Sequence, residues 1–299
     1  DKKHIVTTAV EHSAVSNVFQ RLETNGYDAA YIPVDSDGAI DTGLLERTLS
    51  DNTAIVSVMY ANNETGVLFP MEEIATIVKS RDIPLHVDAV TAVGKIPIDL
   101  SQLPIDLLAI SGHKFHAPKG VGVLVCRNGT AMEPPMLGAA QERGLRPGTE
   151  NVPGVVAMGK ACELAARKLD YYDTEVRRLR DRFEAGLVDA IPDTSVNGAR
   201  SPRIPNTSNV LFRGVDAHAM LVLLDEVGIC ASAGSACKSK AGQLSAVLVA
   251  MGLAPEDAAA SIRFSLSAWT TDEDVDYALA EIPGIVERMR RSSAGRKNG

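Results

Sequence analysis

Along residues 4 to 125, short β-branched runs alternate with segments whose apolar positions recur at helical spacing. That alternation predicts βαβ units and a mainly parallel sheet. The expected strands are 5–8, 30–34, 54–60, 85–88, 107–111 and 121–125. Between them, residues 14–25 run as a helix to Gly26, a left-handed stop, and residues 71–79 start after Pro70, a helix-opening position. Residues 126–153 are rich in Gly, Pro and charge without an apolar period, and read as an ordered loop or linker. Beyond them Val155, Met158, Cys162, Ala166 and Leu169, then Val176, Leu179, Phe183 and Leu187, keep helical spacing, which predicts one long helix. A domain boundary inside that helix divides the chain into 1–165 and 166–299. The rest reads as strand (208–212), helix (216–226), strand (262–266) and a helix opened by Thr271-Asp-Glu-Asp274, an α+β arrangement.

At 299 residues the chain has room for about two domains of roughly 150 residues each. Its 45% hydrophobic and 23% charged residues suit a globular chain with a packed core. Thirty Lys and Arg against thirty-eight Asp and Glu leave a net charge of -8, with no global basic field for nucleic acid or anionic lipid. Small substrates and protein partners are expected instead. No run reaches the roughly 18 apolar residues that span a bilayer, and no signal pattern opens the chain. Asp1-Lys2-Lys3 leads without Met into a strand, as in a chain cut inside a domain. The four cysteines, Cys126, Cys162, Cys230 and Cys237, are too few for a disulfide framework and imply reduced thiols in a cytoplasmic setting. The first three are expected in the core, and the basic tail 288–299 is expected to fray.

Chemistry concentrates at two strand ends, Ser111-Gly-His-Lys114 and His86-Val-Asp88. In open α/β sheets ligands gather at the carboxyl ends of strands. A lysine amine there can form a Schiff base with an aldehyde, and a carboxylate can hold a pyridinium ring protonated, the two requirements of pyridoxal phosphate. Taken singly, Lys114 also reads as a surface lysine and Asp88 as a strand-end cap.

The wider set of motifs decides between these readings. Val10-Glu-His12, Met59-Tyr-Ala-Asn-Asn-Glu-Thr-Gly66, His86-Val-Asp-Ala89, Val93-Gly-Lys-Ile-Pro-Ile-Asp99, Ser111-Gly-His-Lys114, Ala117-Pro-Lys-Gly120, Gln141-Glu-Arg-Gly144, Gly148-Thr-Glu-Asn151, Gly234-Ser-Ala-Cys237 and Ser261-Ile-Arg-Phe-Ser265 follow one another in family order. Together they resemble a cysteine desulfurase of the NifS type, within the fold-type I, aspartate-aminotransferase-like class, over nearly the whole chain. The resemblance implies an α/β large domain with a mainly parallel sheet, a smaller α+β C-terminal domain, pyridoxal 5'-phosphate as cofactor, and L-cysteine as substrate. The run His116-Ala-Pro-Lys-Gly120 is closer to the nitrogen-fixation branch than to the housekeeping one.

By the same resemblance, Lys114 is the Schiff-base lysine, Asp88 the pyridinium partner and His12 the imidazole stacked on the cofactor, able also to move protons. Asn63 contacts cofactor or substrate, Ser111 and His113 hold the phosphate, and Thr149 reaches a phosphate across a homodimer interface. Arg263 anchors the substrate carboxylate with its planar fork. Cys237 is the nucleophile, whose thiolate takes sulfur as a persulfide and leaves alanine, in a loop of small residues. The acceptor implied is an iron-sulfur scaffold protein. No intrinsic metal site is expected, although Cys237 could be shared with a scaffold's cluster. Selenocysteine lyase, and a non-catalytic scaffold with the same fold, are the alternatives.

Several positions depart from the family pattern. The usual extended arm and Gly-Thr phosphate loop, roughly ninety residues, are not found before Asp1, so weak cofactor retention is expected, since a helix N-terminus is a natural phosphate site. Thr91 stands in place of the Gln that donates to the cofactor's phenolic oxygen, and Ala139-Ala140 replaces a glycine pair. Lys238 and Lys240 follow Cys237 in place of a more neutral run, and two cations there should favour the thiolate.

Overall fold

The computed structural model describes residues 2–234 and 244–297. Cys237, Lys238 and Lys240 lie outside the described residues. The first half comprises β1 (His4–Thr8), α1 (Ser13–Thr24), β2 (Asp28–Ile32), α2 (Thr42–Thr48), β3 (Thr53–Met59), α3 (Met71–Lys79), β4 (Leu85–Asp88), β5 (Leu107–Ser111) and β6 (Gly122–Cys126). Its strands form one sheet in the order β2-β1-β3-β4-β5-β6, parallel except for β6. Every residue of β1 is buried, as befits a parallel strand. α3 packs Ile74, Ala75 and Val78 against Val56, Val58 and Val87 of the sheet. It starts at Pro70, with Glu72 and Glu73 in its first turn and Lys79 in its last, matching the helix dipole at both ends.

The second half holds α4 (Val152–Ala166), α5 (Leu169–Tyr171), α6 (Arg177–Ala190), β7 (Thr194–Val196), β8 (Thr207–Phe212), α7 (Ala217–Glu226), β9 (Ser232–Ala233), α8 (Ala246–Ala250), α9 (Pro255–Ala259), β10 (Ser261–Ser265) and α10 (Asp272–Lys297). An antiparallel sheet in the order β7-β8-β10-β9 packs Phe212 and Phe264 against Phe183 and Leu187 of α6 and Ile282 of α10. Although late in the chain, α8 and α9 bury Val247, Leu248, Met251 and Ala258 in the core of the first sheet. α10 opens at Thr271 with a reciprocal cap: Thr271 Oγ1 accepts from the Asp274 amide at 3.2 Å, and the Asp274 carboxylate accepts from the Thr271 amide at 2.9 Å.

Three expectations are corrected. The single long helix is broken after Ala166, and residues 172–176 form a π-helical turn in which Tyr172 and Val176 are buried. The basic tail does not fray at Arg288, because α10 continues to Lys297 and Arg290 donates to the Arg213 carbonyl at 2.9 Å and the Pro192 carbonyl at 2.8 Å. Cys162 and Cys230 are exposed and Cys126 is half-buried, since α4 turns its Cys162 side away from the core and Cys230 rims a surface pocket. In the loop 127–151 the reversal falls on Glu142 (φ 47°), Arg143 (φ 59°) and Gly144 (φ 81°), past Ala139-Ala140.

Candidate active site

The chain leaves β1 outward to β2 and returns to β3 on the other side, so the strand order reverses between β1 and β3. A crevice opens at such a switch point, at the carboxyl ends of the strands. Here a cleft of about 280 Å³ is lined by Thr8, Glu11 and His12 after β1, Asn63 and Glu64 after β3, and Val247. Asp88 ends β4, and Lys114 lies on the 3-10 turn Gly112–Phe115 that follows β5. Four parallel strands therefore place residues far apart in sequence at one edge of the sheet; His12 and Asn63 line the cleft itself, whose lining does not include Asp88 or Lys114.

Local chemistry fixes each of them. His12 caps α1, with its Nδ1 accepting from the Ala14 amide at 3.2 Å. Asn62 turns the chain by accepting from the Glu64 and Thr65 amides at 2.9 and 3.0 Å, and its Nδ2 donates to the Val10 carbonyl, tying the Asn63 turn to the His12 segment. Asn63 keeps a buried side-chain Oδ1 without a hydrogen bond, an acceptor directed at no protein donor. Its carbonyl accepts from Arg263 Nη1 of β10 at 2.7 Å, so the small sheet delivers a guanidinium to the same turn. Gly112 is required before Lys114, because a Cβ there would stand 2.9 Å from Ala117 Cβ and 3.1 Å from the Val121 carbonyl oxygen.

Asp88 is buried, and its Oδ1 accepts from the Val90 amide at 2.9 Å, leaving Oδ2 for another donor. Next to it on β4, His86 Nδ1 shares a 2.8 Å hydrogen bond with Ser57, and burial pulls the His86 imidazole below its ordinary range. Ser111 Oγ and His113 Nδ1 are 3.0 Å apart, a hydroxyl and an imidazole side by side on the lysine turn. Thr91 is half-buried one turn beyond Asp88, whereas Thr149 is exposed on the loop before α4.

Glu11 was quoted above in a motif without a role. Its Oε1 accepts from Thr8 Oγ1 at 2.7 Å and from the Met59 amide at 2.8 Å, while Oε2 is buried without a hydrogen bond. Burial, aided by the charge of Asp88, pushes its carboxyl up to about 8. The only sequence signal for it was its place beside His12. Glu64 is a second such residue, accepting from Ser245 Oγ, the N-cap of α8.

The donor set fits pyridoxal 5'-phosphate: an amine for its aldehyde, a carboxylate oxygen for its ring N–H, a flat imidazole, and an unsatisfied amide oxygen in the wall. Among the described residues no group of three or more metal-ligating side chains gathers, and no helix is long and apolar enough to cross a membrane.

The signature of the aminotransferase class-V family matches residues 1–278. A cysteine desulfurase of Nostoc sp. is 50% identical over 293 residues, which are 98% of this chain and 73% of that protein. The cysteine desulfurase NifS of Azotobacter vinelandii is 45% identical over the same shares of the two chains. Among solved structures, a NifS-like protein superposes with a TM-score of 0.88 at 37% identity, covering 96% of this chain and 76% of its own. The chain belongs to the class-V aminotransferase family of fold-type I pyridoxal-phosphate enzymes, within its NifS-like cysteine desulfurase branch.

Proposed function

We propose that this chain converts L-cysteine to L-alanine and takes the sulfur onto Cys237 as a persulfide. The observation that supports the proposal is the position of Lys114, Asp88, His12 and Asn63 at or just beyond the carboxyl ends of β5, β4, β1 and β3, with His12 and Asn63 lining one cleft. Lys114, Asp88, His12, Asn63, Thr91, Ser111 and His113 would hold the cofactor. Bound there, pyridoxal phosphate supplies an aldehyde and an electron sink.

The chain's own residues do the rest. Asp88 Oδ2 holds a proton on a ring nitrogen, and its fixed charge needs no reorganisation. Lys114 Nζ carries a proton off the substrate Cα and back to a product carbon, as a general base and then a general acid. Arg263 offers a guanidinium for the α-carboxylate, oriented by its bond to the Asn63 carbonyl. The Cys237 thiolate attacks the substrate sulfur; the new S–S bond forms as the C–S bond breaks, and that pair of electrons stays with the carbon, which is protonated to alanine.

We further propose a homodimer. Its support is the exposed apolar face of α4, where Val152, Val155 and Val156 are 60%, 59% and 67% accessible just beyond Thr149. Iron-sulfur assembly, with a scaffold protein as acceptor in a reducing cytoplasm, is the proposed setting. The NifS relative and the run His116-Ala-Pro-Lys-Gly120 favour its nitrogen-fixation form. The test is uptake of pyridoxal phosphate by visible absorbance, followed by alanine release on adding L-cysteine. A protein that takes up no chromophore and releases no alanine would leave the non-catalytic scaffold reading standing.

A further inference from the structure

Lys95 belongs to Val93-Gly-Lys-Ile-Pro-Ile-Asp99, and nothing above gives it a part in the chemistry. It is 7% exposed. Its Nζ donates to the Lys114 carbonyl at 3.3 Å and to the Tyr172 hydroxyl at 3.3 Å, and lies 4.5 Å from the centre of the Tyr172 ring. The Tyr172 hydroxyl also takes the Ala268 amide, and the next residue, Trp269, meets His116 edge-on with centroids 4.5 Å apart. His116 closes the lysine turn in the left-handed region, at φ 71°. The C-terminal end of that turn is thus tied at two points to the segment that follows β10, the strand of Arg263.

A structural role alone accounts poorly for this amine. The slot around it is walled by Gly94, Phe115, Ala161, Ala165 and Trp269. Among the described residues no carboxylate lies within salt-bridge distance of it, and the titratable groups facing it are Tyr172, His116, Arg167 and Lys168. Burial without a counter-charge pulls the amine down to about 8. An unpaired buried amine opposes folding, and an apolar side chain of similar shape would fill the same space without that penalty. What only the amine provides is a donor to one particular carbonyl.

We propose that Lys95 is a positioning residue of this site: through the Lys114 carbonyl it sets the turn that presents the Lys114 amine, and through Tyr172 it couples that turn to the Arg263 strand. The inference rests on Lys114 being the cofactor lysine.

Four measurements on Lys95→Met test it. The variant should melt at or above the parent temperature at neutral pH. In the cofactor-free protein, the His116 and Ala117 amides, both bonded to the Gly112 carbonyl, should exchange with deuterium about tenfold faster, the loss expected for one hydrogen bond to a charged donor. In the cofactor-loaded protein, the pH midpoint of the visible band should move, and kcat should fall by about tenfold with KM within about twofold. Tyr172→Phe, which removes the hydroxyl alone, should shift exchange and band in the same direction by less. A Lys95→Met protein that unfolds marks the lysine as structural and overturns the proposal. So does unchanged exchange, or an unmoved band in both variants. Failure of the parent itself to bind the chromophore would instead refute the functional reading, and the exchange result would still decide the role of Lys95 in the turn.

Discussion

Replacing Glu11 by Gln should change how stability depends on pH while leaving the local hydrogen bonds in place. The glutamine Oε1 can accept from Thr8 Oγ1 and the Met59 amide as the carboxyl does, and its NH2 takes the buried place of Oε2. In the folded protein burial raises the Glu11 carboxyl from 4.5 to about 8. A carboxyl whose folded value is raised contributes stability that is full below its unfolded value and is lost as pH rises through the folded one. The window is therefore pH 4.5 to about 8. Across the full shift of about 3.5 units, at about 1.4 kcal/mol per unit, the loss approaches about 5 kcal/mol. Glutamine has no such dependence. Urea unfolding of parent and Glu11→Gln from about pH 5 to about pH 8 should show the gap moving toward the variant by about 4 kcal/mol, with equal m values. Parallel stability curves across that range would refute the assignment of a protonated buried carboxyl beside Asp88.

The bidentate pair of Arg203 with Glu184, at 2.6 and 2.7 Å and almost wholly buried, makes a second case: Arg203→Met strands a carboxylate and should cost about 3–5 kcal/mol by denaturant unfolding, recovered largely in Arg203→Met/Glu184→Leu. Asp88→Asn keeps the acceptor for the Val90 amide but removes the charge, so the chromophore should still bind while alanine release falls on the order of 100-fold. Alkylation of Cys237 followed against pH should titrate higher in Lys238→Thr/Lys240→Gly than in the parent, and superimposable profiles would show that the two lysines only solvate the segment.

Much of the architecture was legible because short-range rules decide it. The residues of α3 and β4 match their predicted limits, one opened by Pro70 with an amphipathic face, the other a buried apolar run ending in Asp88. Thr271 and Asp274 form the reciprocal cap that their spacing predicts. The broken helix was not legible, because a π turn at Tyr172 answers to its neighbours in space, Lys95 and Ala268, and leaves the apolar spacing nearly intact. α2, with its short mixed run and Asp41 cap, was missed for want of a long period. The family motifs pointed to Lys114, Asp88, His12 and Asn63, which lie at or just beyond the carboxyl ends of four strands of one sheet. They were silent on Glu11 and Lys95, whose chemistry comes from burial beside Met59 and Tyr172, 48 and 77 residues away. A side chain's desolvation is a property of the packed chain, so no local pattern announces it.

The most direct test of the central claim is to load the protein with pyridoxal phosphate, add L-cysteine, and read the mass of the peptide carrying Cys237 alongside the alanine released. One added sulfur on that peptide is expected, removed by a reductant and in step with alanine, with neither product from Lys114→Ala. Alanine release without sulfur on Cys237, or sulfur transfer undiminished in Lys114→Ala, would contradict it.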